Sequence, residues 1–150
     1  MKKNICIRPV TVGDSSVIRG LLEQLGYELT AEQISKKIAV FAQKEGHHAF
    51  VVEIDGHVTG FMSLHIMEWF HRPDCVARLS AIVVDKEFRG AGIGRTLMAF
   101  AEKKAIQSGC TIMEVSSSLR RKAEGTYDFY ASLGYLDANG QTSYSRKKLV

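Results

Sequence analysis

Residues Arg89, Gly90, Ala91, Gly92, Ile93 and Gly94 stand between an apolar run at 79–84 and a helical pattern that begins near Ile93. Three glycines within five positions let the backbone turn sharply and leave consecutive amides uncovered at a helix N-terminus. The oxygens of a phosphate can accept several hydrogen bonds from such amides at once. The chain must therefore place a strand, a tight turn and a helix in succession, with a phosphorylated ligand as the first expectation at the turn. Two nucleotide-binding arrangements fail. A P-loop ends in Gly-Lys-Ser/Thr, whereas Gly94 is followed by Arg95 and Thr96 and the loop holds no lysine. A dinucleotide fingerprint needs glycine where Arg95 stands, and it opens the first βαβ unit of a parallel sheet.

The rest of the chain reads as alternating strands and amphipathic helices. Residues 5–8 form a first strand closed by Pro9, and Asp14 is read as the N-cap of a helix whose Val17, Ile18, Leu21, Leu22 and Leu25 recur on one face before Gly26. Thr30 followed by Gln33 has the form of a capping box, and Ile34, Ile38 and Phe41 carry a second helix to about Lys44. Residues 49–54 and 58–66 make a hairpin through Asp55-Gly56. Residues 67–74 are a loop or strand end, and 76–84 supply the strand before the glycines. The following helix buries Ile93, Leu97, Phe100 and Ala101. A strand at 111–116, a polar segment at 117–125, a helix holding Tyr130 and a final strand from about 143 to 149 complete the chain.

At 150 residues this is the length of one domain with one core, here taken as 5–150. A hydrophobic content of 45% excludes a disordered chain. The three cysteines, Cys6, Cys75 and Cys110, lack Cys-x-x-Cys spacing and are expected as reduced thiols. Adjacent His47 and His48 would point to opposite faces of a strand, so no metal site is expected. The net charge of +4 raises the question of nucleic acid, but no Lys/Arg run exceeds three residues and aromatics are not interleaved with them. A solvated surface that attracts a polyanionic ligand is the preferred reading, with no nucleic acid and no membrane as partner. No apolar stretch approaches a membrane span, and Met1 to Asn4 lead into a strand, so a cytoplasmic location is expected.

The pattern Arg89-x-x-Gly92-x-Gly94 after a mid-chain strand resembles the acetyl-CoA-binding motif of the GNAT superfamily of N-acyltransferases. Asp128-Phe129-Tyr130, followed by Gly134-Tyr135, resembles the second signature of that family. Ile7-Arg8-Pro9, with a helix ending Leu25-Gly26-Tyr27, is a third and weaker likeness. The resemblance implies an α/β (α+β) GNAT fold: a mixed, mostly antiparallel sheet of six to seven strands, helices on both faces, and a V-shaped splay between the fourth and fifth strands. It also implies acetyl-CoA as cosubstrate, with the backbone of Ile82, Val83 and Val84 bonding the pantetheine arm. The amides of Gly90, Ala91, Gly92, Ile93, Gly94 and Arg95 would hold the pyrophosphate, with charge-assisted contacts from Arg89 and Arg95. The implied reaction is direct attack of a primary amine, on a small molecule or a protein, in a ternary complex. By analogy with the family a homodimer is the favoured assembly.

An alkyl ammonium of pKa about 10.4 must lose a proton before attack, at a cost of roughly 4–5 kcal/mol at neutral pH. Met113-Glu114-Val115 resembles a Leu-Glu-Val of bacterial members, which makes Glu114 the implied base. Period-two alternation sets it opposite Met113 and Val115. An ion-pair partner of Arg120 or Arg121 is the open alternative for this carboxylate. Other members begin the strand before the glycines with a glutamate where this chain has Val76, so His71, Glu68 and Asp74 remain fallbacks. By the same resemblance Tyr130 is the general acid for the departing thiolate, with Tyr127 one turn earlier as its competitor. Ala123 replaces a cofactor-contacting Asn or Arg of many members, and Arg120, Arg121 and Lys122 would compensate. Cys75 and Cys110 are disfavoured as acyl carriers because neither has a partnered histidine at a readable spacing. The competing reading, a non-catalytic acyl-CoA sensor, rests only on the carboxylate missing at position 76. No pattern identifies the acceptor; Trp69, Phe70 and His71 could wall its site or meet a second copy.

Overall fold

In the computed structural model, which describes residues 2–116, 125–136 and 145–149, the hairpin signal at Asp55-Gly56 is met by a turn with φ of 51° and 83°. Two successive left-handed residues match the twist of the strands they join. That turn links β2 (His47–Ile54) to β3 (His57–Glu68), which pair antiparallel. β1 (Ile5–Pro9) lies antiparallel on β2, and β4 (Cys75–Val84) antiparallel on β3. β5 (Cys110–Val115) joins β4 in parallel, because helix α3 (Ile93–Gln107) carries the chain back between them. The sheet order is β1-β2-β3-β4-β5.

The mixed, mostly antiparallel sheet is as expected, but the described residues hold five strands instead of six to seven. The strand expected at 143–149 falls partly outside the described residues, and 145–149 are exposed without a ladder. Arg146, Lys147 and Lys148 in succession leave that stretch no apolar face to bury.

Helices cover both faces. α1 (Ser15–Leu25) and α2 (Ala31–Gln43) bury Ile18, Leu21, Leu25, Ile34 and Ile38 against Val51, Phe61 and Val83. The alternate residues face α3: Phe50 meets the ring of Phe100 edge-on at 4.9 Å. A Cβ at Gly60 would stand 3.5 Å from Leu97 and 2.8 Å from Val52, so only glycine fits that crossing. The Thr30–Gln33 box forms both of its bonds, at 2.9 and 3.1 Å.

Asp14 precedes α1 as expected but makes no side-chain cap bond to it. Its carboxylate instead accepts from the Thr11 amide at 2.8 Å and from both terminal nitrogens of Arg8 at 2.8 Å. Arg8 also donates to Glu53 at 2.8 Å, tying β1 and β2 to the start of α1. The Arg8 hydrogen bond holds the Asp14 carboxyl below the usual carboxylate range. A depressed folded pKa stabilises the fold above the unfolded value of about 3.9 and is lost as pH falls through the folded value. Asp14→Asn is expected to cost about 2 kcal/mol at pH 7, roughly 4–8 °C in Tm. Thermal unfolding followed by circular dichroism checks this, with the gap to the wild type closing below about pH 4.

The chain divides into two compact units, residues 1–116 and 117–150. The second contains α4 (Thr126–Ser132), which starts after Gly125 at φ 79° and stops before Gly134 at φ 91°. Among the described residues no helix is long and apolar enough to cross a membrane.

Candidate active site

β4 is paired with β3 along its length, from Cys75 opposite Glu68 to Val84 opposite Gly60. Its ladder with β5 runs only from Cys75 and Cys110 to Leu79 and Val115. Beyond Leu79, among the described residues, 80–84 have no strand on the β5 side. This is the expected splay. The Val83 carbonyl oxygen lies 3.0 Å from the position of a Gly60 Cβ, so Val83 turns its polar groups toward β3. Successive residues of a strand alternate in this respect, and Ile82 and Val84 therefore present theirs to the open side. There the Val84 carbonyl accepts from Arg89 Nε at 3.0 Å.

The glycine loop follows. Gly90 and Gly92 have φ of 82° and 80°, and a Cβ at either would meet nothing within 4 Å. These glycines serve the backbone path, and the space in front of them is open. The first backbone bond of α3 runs from the Thr96 amide to the Gly92 carbonyl at 3.1 Å. The amides of Ile93 and Gly94 come before it, at the positive end of the helix dipole, while the buried Ile93 side chain fixes the helix start. Such a donor set fits a pyrophosphate. Gln24 of α1 braces the loop, accepting from the Lys86 amide at 2.9 Å and donating to Asp85 at 3.4 Å. No sequence signal points to Gln24, since its partners lie about sixty residues away.

Glu114 lies beside Arg78 in the parallel register, while Met113 and Val115 lie beside the buried Ala77 and Leu79. The alternation expected for Glu114 therefore holds. Its Oε2 accepts from Arg78 Nη2 at 2.6 Å and Nε at 3.1 Å, with the two side chains 32% and 30% exposed. Sequence reasoning missed Arg78 as the partner; Arg120, Arg121, Lys122 and Ala123 lie outside the described residues. Val76 is buried between Met67 and Ile112.

The fallback residues belong to the end of β3 and its connection to β4. Asp74 accepts twice from Arg72 at 2.9 Å and also from Thr111 Oγ1. The Arg72 contact, followed by that of Thr111, holds the Asp74 carboxyl well below the usual range. The His71 ring packs edge-on against Trp69 at 5.6 Å, and Glu68 is exposed.

A second polar group, also missed, lies on the neighbouring strands. β3 and β4 slip register after Ser63, so that Ser63 opposes Ala81, Leu64 opposes Leu79, and Ser80 bulges between them. Ser80 Oγ is 2.6 Å from Ser63 Oγ and 2.7 Å from His65 Nε2. The His65 ring packs edge-on against His47 at 4.9 Å and Phe41 at 5.7 Å. His48 points the other way and stacks on Phe50, as the alternation of adjacent histidines requires.

Cys75 and Cys110 face each other as free thiols with Sγ atoms 3.0 Å apart, both buried. Burial, with the Cys75 contact second, pushes the Cys110 thiol up to about 12. A thiol so placed is no nucleophile at neutral pH.

In the second unit, Tyr130 lies on α4 with its ring 5.4 Å from Phe129 and 6.0 Å from Tyr135. The Tyr130 carbonyl accepts from the Tyr135 amide at 3.1 Å, which fixes the turn between the two halves of the second signature. Tyr127 is on the same helix; its side chain lies outside the described atoms.

The model of the acetyltransferase (GNAT) family matches residues 19–135. The chain is similar to an aminoalkylphosphonate N-acetyltransferase of Salmonella typhimurium, at 28% identity over 130 residues, 86% of this chain and 83% of the relative. Among solved structures it resembles an aminoglycoside N-acetyltransferase, AAC(6')-Iy, in complex with CoA, with TM-score 0.82 at 20% identity over 99% of this chain and 97% of the other. A glucosamine-6-phosphate N-acetyltransferase from Arabidopsis thaliana superposes with TM-score 0.77 at 21% identity, over 98% of this chain and 99% of that one.

Proposed function

The chain belongs to the acetyltransferase (GNAT) family, and on that premise we propose that it transfers the acetyl group of acetyl-CoA to a small-molecule primary amine, residues 5–150 acting as one domain. The observation that carries this reading is the edge of β4 beyond Leu79, which no strand among the described residues covers and which leads directly into the glycine turn and the first amides of α3. In this proposal the backbone of Ile82 and Val84 extends the sheet onto the pantetheine arm, Val83 supplies the strand's other side, and the turn from Gly90 to Arg95 binds the pyrophosphate. Arg89, already on the Val84 carbonyl, adds positive charge where the arm meets the phosphates. The name of the Salmonella relative puts aminoalkylphosphonates first among acceptors to be tried.

Acetyl-CoA supplies an activated thioester; the chain must supply orientation and proton traffic. Glu114, expected as the base, shares one oxygen between two guanidinium N–H groups. It can accept hydrogen bonds from an ammonium, but keeping the proton would break the ion pair. We therefore assign Glu114 to drawing in and orienting the amine, and Tyr130 to protonating the departing thiolate. Release of the free CoA thiol across a panel of primary amines tests the reaction, and absence of turnover on every amine overturns it. Glu114→Gln is expected to raise KM for the amine about tenfold, equivalent to one lost charge-assisted bond, with kcat within a few-fold of wild type. A fall in kcat at constant KM returns Glu114 to the role of base.

A further inference from the structure

The proton that the amine must lose has a destination beside the fork of the sheet. Ser80 is the first residue of β4 beyond the β5 ladder, so it stands at the fork of the splay. An arm laid along the free edge from the glycine turn runs from Val84 back toward Ser80, and its reacting end arrives at that fork. Ser80 is exposed there because the bulge gives it no opposite residue, and its hydroxyl is in contact with His65 Nε2 behind it. We propose that Ser80 and His65 form a proton relay for the acceptor amine: the ammonium gives a proton to Ser80 Oγ as the Ser80 proton passes to His65 Nε2.

The step balances. The bound ammonium becomes a neutral amine and the imidazole an imidazolium; nitrogen then attacks the acetyl carbon, and the C–S bond breaks. The second amine proton offsets the one given to the thiolate, and His65 releases its proton to solvent. Ser63 Oγ, 2.6 Å from Ser80 Oγ, can donate to it; the Ser80 hydroxyl then has Nε2 at 2.7 Å and the Ser63 carbonyl oxygen at 3.4 Å as acceptors, and the shorter contact is the relay path. The surroundings of His65 keep it an acceptor. Burial comes first; then His47 beside it on β2, His48 from the opposite face of that strand, Arg78 on β4 and Lys44 after α2 all act to hold the imidazole below its usual value. Glu114, one strand further, is paired with Arg78.

This inference rests on the acetyltransferase reading, and a pH profile separates the two. With the relay, the species that react are the ammonium and the neutral imidazole. Log kcat/KM for the amine is then level from below about pH 6.5 up to the amine's own pKa, and falls with slope one below the His65 pKa. Without it the enzyme must wait for neutral amine, and the same plot climbs with slope one throughout that range. His65→Gln is expected to convert the plateau to the slope and to lower kcat about 10²-fold at pH 7. Ser80→Ala, at an exposed position that leaves the core untouched, is expected to do the same, while Glu114→Gln keeps the plateau. A plateau that survives both relay variants, or its absence from the wild type, overturns the relay alone. A wild type without turnover on any amine overturns the acetyltransferase reading and the relay with it.

Discussion

Exchanging Tyr130 for phenylalanine is expected to lower kcat by roughly 10²- to 10⁴-fold, the range for a lost general acid. A thiol and a phenol differ by only about one and a half units in ordinary pKa, so a phenolic proton can pass to a departing thiolate without a large uphill step. The substitution keeps the ring, and with it the packing on Phe129 and Tyr135. Tm and KM for acetyl-CoA should accordingly stay at wild-type values. Steady-state kinetics on Tyr130→Phe and the matched Tyr127→Phe decide the matter. Tyr127→Phe should be near neutral, and if it is the crippled variant, the acid sits one turn earlier on α4.

Gly92→Glu is expected to weaken acetyl-CoA binding by more than 100-fold. Two effects are separable here. Gly92 has φ 80°, so any L side chain there strains the backbone at a cost of about 1–2 kcal/mol. Since a Cβ meets nothing within 4 Å, the fold should otherwise tolerate the change. The carboxylate adds repulsion toward a pyrophosphate in the open space before the helix, which the strain alone does not. Calorimetric titration of Gly92→Ala and Gly92→Glu with acetyl-CoA separates strain from charge. Unchanged affinity in Gly92→Glu removes the phosphate-binding role from this turn.

What could be read from the sequence was what is local in it. The Thr30–Gln33 box, the Asp55-Gly56 turn and the strand–glycine–helix passage each place their chemistry within a few residues. Each is found where the spacing requires it. Asp14 failed as a cap because its decisive partner, Arg8, comes from the neighbouring strand instead of the helix that follows. Glu114 was placed on the correct face by alternation, yet its partner Arg78 is 36 residues away and becomes adjacent only through a parallel register. His65 and Ser80 meet because β4 gains one residue against β3, and nothing in the run of residues 79–84 announces a bulge. The strand expected at 143–149 lies partly outside the described residues, and within 145–149 three successive basic residues leave no apolar face to bury.

The open edge of β4 also bears on how the protein behaves before it meets its cosubstrate. An unpaired strand edge is a template for any other strand, including one from a second copy of the same chain. Among the described residues the chain guards this edge only at its two ends. The Ser80 bulge twists one end out of line, and Arg89 occupies the carbonyl of the other. Between them Ala81, Ile82 and Val83 keep an apolar, β-favouring sequence, which suits the proposed ligand that would add itself there as a strand. The edge proposed to receive the pantetheine arm is thus also one that another strand can join, and a ligand bound along it would compete with self-association.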